Sequence, residues 1–182
     1  MSGRIALAAA VLFFLFAGEQ RILAGRKLPD VAVVDHTGRA LHFYSDLVRG
    51  RTVFVNAVYT DCEFTCPMLS KAFEKLQESL GDRLGRDVFL LSISRDPERD
   101  TPRKLAAWRT RYAAKPGWIV VTGKKKDIDE LLRALTGDAT GRGGHEMVTY
   151  AGHDRSGTWL RLYGAAEPKH YERVLAGFRA AE

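Results

Sequence analysis

The stretch from Thr52 to Leu69, TVFVNAVYTDCEFTCPML, constrains this chain most. A nearly continuous apolar run, Thr52 to Tyr59, is β-branched and aromatic, which predicts a central strand covered on both faces. A short polar segment follows and carries the only two cysteines, Cys62 and Cys66. Pro67 comes next, and Met68, Leu69, Phe73, Leu76 and Leu80 then recur at spacings of one to four, which predicts a helix that Gly81 ends. A strand, a thiol loop, a proline and a helix in this order place two sulfurs at the mouth of an α/β unit.

The flanking segments fill out that unit. Val31–Val34 and Ala40–Tyr44 read as a hairpin around Asp35-His36-Thr37-Gly38, whose aspartate and glycine supply turn chemistry. Asp46–Gly50 reads as a short turn. Asp87–Ser94 is the next strand, and strand–helix–strand implies a right-handed parallel crossover. Arg95–Arg103 is a loop in which Thr101-Pro102 form a helix N-cap and first helical position. Trp118–Thr122 is a short strand, and Lys126–Leu135 a helix with Ile128, Leu131, Leu132 and Leu135 on one face. Thr136–Gly144 is a glycine-rich loop. Met147–Ala151 and Thr158–Tyr163 form a second hairpin, and Pro168–Ala181 a closing helix. The sum is an α/β thioredoxin-like fold: central parallel strands, an antiparallel C-terminal hairpin, helices on both faces and an added N-terminal β-hairpin.

The chain has 182 residues, enough for one domain and a terminal extension. Ile5–Ala17 is unbroken apolar sequence behind Arg4, short for a membrane span and of the length of a signal-peptide core. Residues 1–26 are therefore expected to be a signal peptide or a retained membrane anchor. Residues 27–182 are the functional domain, exported to a periplasm-like space or anchored at the membrane facing it. The net charge is +6, but the basic residues are scattered and no basic stripe is interleaved with aromatics, so nucleic acid is not an expected partner.

Two cysteines cannot staple a chain of this length, and their closeness argues for chemistry. A cysteine at a helix N-terminus sits where free N–H groups and the dipole stabilise a thiolate. Thiolate is both the nucleophile of disulfide exchange and a ligand for soft metals, so both chemistries are open, alongside a plain disulfide. Three intervening residues open a wider bite than the C-x-x-C of common redox enzymes. Tyr59 and Glu63 stand where peroxide reduction wants a threonine. Structural zinc would want four protein ligands, whereas Cu(I) accepts two thiolates and an imidazole. His145, between the glycine loop and the strand from Met147, is the best third ligand. His153 is at the far end of that strand and ranks lower; His36, His42 and His170 read as surface or edge residues. Asp61 and Glu63 are hard donors and poor matches for Cu(I). Asp96, after the second parallel strand, is a candidate for ordering the thiol loop through hydrogen bonds, with an ordinary Asp-Pro turn as the alternative.

YTDCEFTCP, SISRDPERDTP, and a histidine ahead of a strand and a D-x-x-G turn together resemble the Sco/SenC family of copper-binding assembly proteins. The resemblance spans roughly Leu28 to Gly164. It implies a thioredoxin-like fold, copper as Cu(I) or Cu(II) on Cys62, Cys66 and His145, and assistance to the CuA site in subunit II of cytochrome c oxidase. Such a metallochaperone is not an enzyme. The alternative is an extracytoplasmic thiol–disulfide oxidoreductase acting on a partner's cysteines through Cys62 and Cys66. Both need a thiol reductant, because an exported cysteine pair tends to oxidise. Glu63 and Gly144 depart from the family's usual proline and aspartate. Gly117-Trp118 with Thr122-Gly123, and Gly152 with Gly157-Thr158-Trp159, resemble segments of one cluster of relatives.

Overall fold

A computed structural model of the chain describes residues 19–22, 28–61, 65–137 and 147–180. Its strands are β1 (Glu19–Ile22), β2 (Ala32–Asp35), β3 (Ala40–His42), β4 (Thr52–Val58), β5 (Val88–Ser94), β6 (Trp118–Gly123), β7 (Val148–His153) and β8 (Thr158–Tyr163). Its α-helices are α1 (Thr65–Leu80), α2 (Pro102–Arg111), α3 (Lys125–Thr136) and α4 (Pro168–Arg179). Among the described residues the strands form one sheet in the order β1-β8-β7-β4-β5-β6-β2-β3.

The middle of the sheet follows from the sequence. β4 pairs in parallel with β5, Thr52 beside Val88 and Val58 beside Ser94, and β5 pairs in parallel with β6. β7 runs antiparallel to β4, with Thr52 opposite His153 and Asn56 opposite Thr149. The β4 side chains alternate between two cores, as a strand covered on both faces must. Val53 and Val55 join Phe43, Ile93, Val121 and the inner face of α3. Phe54 and Val58 join Phe73 and Leu76 of α1, Leu105 and Trp108 of α2, and Tyr171 and Phe178 of α4. Trp118 is fully buried in this second core. Its indole N–H donates to the Ser92 hydroxyl at 3.0 Å, and its ring meets Phe73 and Trp108 edge-on.

The N-terminal hairpin β2–β3 is as expected, and it attaches through β2 to the edge of β6, antiparallel. Asp35 accepts hydrogen bonds from the Thr37 N–H at 2.8 Å and hydroxyl at 2.6 Å and from the Arg39 N–H at 3.1 Å. Burial pushes the Asp35 carboxyl up, but these bonds more than offset it and hold it below its ordinary value.

Two segments differ from the sequence reading. The second hairpin strand stops at His42, and Phe43–Val48 form a π-helix rather than extended chain and a short turn. The wide helical turn lets Phe43, Leu47 and Val48 all reach the core, which a flat turn cannot do. The Asp46 carboxylate secures its start by accepting the His42 N–H at 2.7 Å. At the other end of the sheet, Glu19–Ile22 adds an edge strand antiparallel to β8, Glu19 opposite Leu162 and Ile22 opposite Trp159. It lies inside the segment expected to direct export.

The glycine–tryptophan segments are packing devices. Gly152 lies directly across from Trp159 in the β7–β8 pair. A Cβ at Gly152 would fall 2.6 Å from three atoms of the indole ring. Gly152→Ala should therefore cost about 2 kcal/mol, the usual range for overpacking a filled site; urea titration of both proteins measures it. Gly117 has φ +95°, and a Cβ there would sit 2.4 Å from the Gly85 nitrogen, so the turn before Trp118 packs backbone to backbone.

Candidate metal and thiol centre

β4 delivers the chain to the site. Beyond Val58 come Tyr59, Thr60 and Asp61, and α1 starts at Thr65. Cys66 is the second residue of α1 and Pro67 the third. Proline is tolerated there because the first-turn N–H groups have no intrahelical partner in any case. The free N–H groups and positive end of a helix favour a thiolate in its first turn, where the Cys66 backbone lies. Leu69, Ala72, Phe73, Leu76 and Leu80 are buried and seat the helix against the sheet, so the position of Cys66 is set by a rigid element. Met68 beside it is exposed.

The loop between β4 and α1 is tied to the loop after β5 through one buried carboxylate. Asp100 is 2% exposed. It accepts a hydrogen bond from the Thr60 hydroxyl on the thiol loop and another, at 2.6 Å, from the Ser94 hydroxyl at the end of β5. The Ser94 oxygen in turn accepts the Asp96 N–H at 3.1 Å, and the Asp100 N–H donates to the Asp96 carbonyl at 2.8 Å. The Arg95 N–H donates to the Val58 carbonyl at 2.8 Å, continuing the β4–β5 ladder one residue past β5. At the surface, Lys104 in the first turn of α2 reaches Asp61 at 3.3 Å. The Thr101 hydroxyl caps that helix by accepting the Lys104 N–H at 3.3 Å.

Of the two readings of Asp96, the ordinary Asp-Pro turn is the one seen: its carbonyl accepts the Arg99 N–H at 3.0 Å and the Asp100 N–H at 2.8 Å. Its side chain is partly exposed and pairs loosely with Arg99 at 3.7 Å. The tie from Thr60 to the end of β5 is made by Asp100, four residues on. The signal that points to it is its place one residue before the N-cap Thr101, within the polar run RDPERDTP.

Cys62 and His145 lie outside the described residues, as does the Cys66 side chain. α3 ends at Gly137, its left-handed C-cap, and β7 starts at Val148. Because β7 is antiparallel to β4, it enters the sheet at the end where β4 leaves. The other histidines are elsewhere. His153 ends β7 at the opposite edge, stacked on Phe178 with its ring Nδ1 2.9 Å from the Ser156 hydroxyl. His36 is half-buried in the hairpin turn, where burial first and the nearby Arg109 charge second hold its imidazole below its ordinary pKa. His42 is exposed on the edge strand β3, and His170, near the start of α4, contacts Arg173 at 3.1 Å. Among the described residues no three His, Cys, Asp or Glu side chains gather as a metal site, and no helix is long and apolar enough to cross a membrane.

A thioredoxin-like sheet whose central strand β4 leads, through a sequence with two cysteines, into α1 defines a class of thiol proteins. The chain belongs to the SCO1/SenC family, whose model it matches over residues 24–150. It is 28% identical over 110 residues to a protein of Stutzerimonas stutzeri named for copper binding. That match covers 60% of this chain and 52% of the relative, so it spans about half of the relative's length. It is 25% identical over 143 residues to an SCO1 protein homolog of Bacillus subtilis, covering 74% of this chain and 72% of that one. Among solved structures it resembles BsSco, described as a member of the Sco family of cytochrome c oxidase assembly proteins with a disulfide switch. The TM-score is 0.67 at 23% identity, covering 85% of this chain and 92% of that chain.

Proposed function

We propose that this chain is a copper metallochaperone that works outside the cytoplasm. It holds one copper ion through the sulfurs of Cys62 and Cys66 and a ring nitrogen of His145, and passes it to an acceptor by ligand exchange. The donor set fits the cargo: two thiolates and an imidazole suit Cu(I) in a three-coordinate site and leave a side open for an incoming ligand. The observation that carries the reading is Cys66 in the first turn of α1 at the exit of β4, beside the end of the sheet where β7 begins at Val148, three residues after His145 in the sequence. The Stutzerimonas relative is named for copper binding, which supports this. The acceptor is the CuA site of cytochrome c oxidase subunit II, in keeping with the assembly role given for BsSco. Residues 1–26 serve as signal peptide or membrane anchor, and 27–182 form the copper-binding domain. A copper titration of the reduced protein should show one equivalent bound, and loss of that binding in Cys62→Ala, Cys66→Ala and His145→Ala. Unchanged stoichiometry in all three ends the proposal.

A second reading is thiol–disulfide exchange with a partner's cysteines. The helix N-terminus at Cys66 favours it, as does the disulfide switch described for BsSco. Here one thiolate attacks a partner disulfide, the partner's other sulfur leaves as a thiolate, and the second cysteine of the pair displaces the first bond. This ends with Cys62–Cys66 oxidised and the partner reduced. A trapped mixed disulfide with oxidase subunit II, and full activity of His145→Ala after it has lost copper, would favour this reading over metal transfer.

A further inference from the structure

At the opposite end of the sheet lies a cleft of about 530 Å³, within the size range of small-molecule sites. β4 spans seven residues, so the cleft is about 20 Å from the thiol end. Arg51, Arg83, Arg86, Arg155 and Arg179 line it together with His153. These residues come from five places in the fold: the lead-in to β4, the turns before β5, the end of β7, the β7–β8 turn and the end of α4. One carboxylate, Asp87, is also in the lining and is occupied by Arg86 at 3.3 Å. Val88, Leu175 and Phe178 supply apolar wall.

Two of the arginines are held in place by their surroundings. The Arg51 guanidinium stacks 4.6 Å from the centre of the Phe89 ring and also donates to the Asp46 carbonyl. Arg83 is held by Glu172 of α4 at 2.9 Å. The turn carrying Arg155 is pinned to the start of β4: the Gly50 N–H donates to the Asp154 carboxylate at 2.6 Å and the Asp154 N–H to the Arg51 carbonyl at 3.0 Å. Arg155 and Arg179 are exposed and make no ion pair among the described residues. Like charges converge here at a cost in mutual repulsion, which an anion in the cleft would relieve.

We propose that this cleft binds a phosphate-bearing anion. Guanidinium forks match phosphate oxygens in pairs, and no lysine is in the lining, so the chemistry is directional rather than that of a diffuse basic surface. The two arginines without an ion pair among the described residues, Arg155 and Arg179, suit a ligand with about two negative charges, and the wall of Val88, Leu175 and Phe178 suits an organic group beside them. An anionic phospholipid headgroup and a soluble phosphate ester share this chemistry.

The test uses the full chain with no copper added. Calorimetric titration with inorganic pyrophosphate, and co-sedimentation with phosphatidylglycerol or phosphatidylcholine vesicles, are run on wild type, on Arg155→Gln/Arg179→Gln and on a charge-matched control, Lys124→Gln/Lys126→Gln. Thermal melts check that each variant folds. Saturable binding that weakens by about tenfold or more in the arginine variant and not in the lysine variant is the expected result. If pyrophosphate shows it, the source is a soluble phosphate compound; if only phosphatidylglycerol vesicles show it, the source is a headgroup. No binding of either probe, or equal loss in the two variants, overturns the proposal.

Discussion

Asp100→Ala should cost about 3 kcal/mol of folding stability, because it strands two hydroxyl donors in a place that water does not reach. Asp100 is 2% exposed and Thr60 5%, and Ser94 is fully buried. The loss should appear as a lower urea midpoint with an unchanged slope. The consequence for the thiol loop is the more telling part. Thr60 is two residues ahead of Cys62, and its bond to Asp100 anchors that loop to the end of β5. On the metallochaperone reading, Asp100→Asn, which keeps the shape and one acceptor oxygen, should still fold and yet weaken copper binding about tenfold, as loss of a supporting partner commonly does. A competition titration against a Cu(I) chelator reads that change. Equal copper affinity in Asp100→Asn and wild type would mean that Asp100 stabilises the fold without positioning the site.

Trp118→Ala should be the more destructive core substitution, at about 4 kcal/mol, in the range found for removing a buried aromatic. The side chain is completely buried, and its removal opens a cavity between β6, α1 and α2. It also leaves the Ser92 hydroxyl without its indole donor and removes two edge-on ring contacts, to Phe73 and to Trp108. Phe73 belongs to α1, the helix that carries Cys66, so the damage reaches the site through packing. Trp118→Phe should recover roughly half of the loss, because it restores most of the ring volume but not the hydrogen bond. Guanidinium denaturation followed by far-UV circular dichroism separates the three proteins.

The strand–thiol–helix unit was legible because it is local. Seven residues of apolar, β-branched chain, a cysteine pair, a proline and a helical repeat each carry their own conformational preference, and they agree. The same holds for the Thr101 cap, where a hydroxyl and a following proline suffice. Asp100 was not legible as the tie for the thiol loop. Its partners Thr60 and Ser94 are 40 and 6 residues away, and only the parallel β4–β5 pairing brings all three together. Asp96 carried the stronger local signal, an Asp-Pro dipeptide, and in the fold its side chain points to Arg99 instead.

The π-helix at Phe43–Val48 escaped for a related reason. Its residues carry a strand-like start and a turn-like end, and burial of Phe43, Leu47 and Val48 together overrides both preferences. Of the five arginines between positions 51 and 179 only Arg83 and Arg86 are near one another in the chain, and all five meet only because four places in the fold converge at one end of the sheet. What the amino-acid order determined by itself is the element pattern and the kind of chemistry at Cys62 and Cys66, since periodicity, turn residues and thiol spacing act over a few residues. What the tertiary structure decided is which distant polar groups meet. A buried carboxylate finds its hydroxyls, and a group of guanidiniums its cleft, only after the strands have chosen their neighbours.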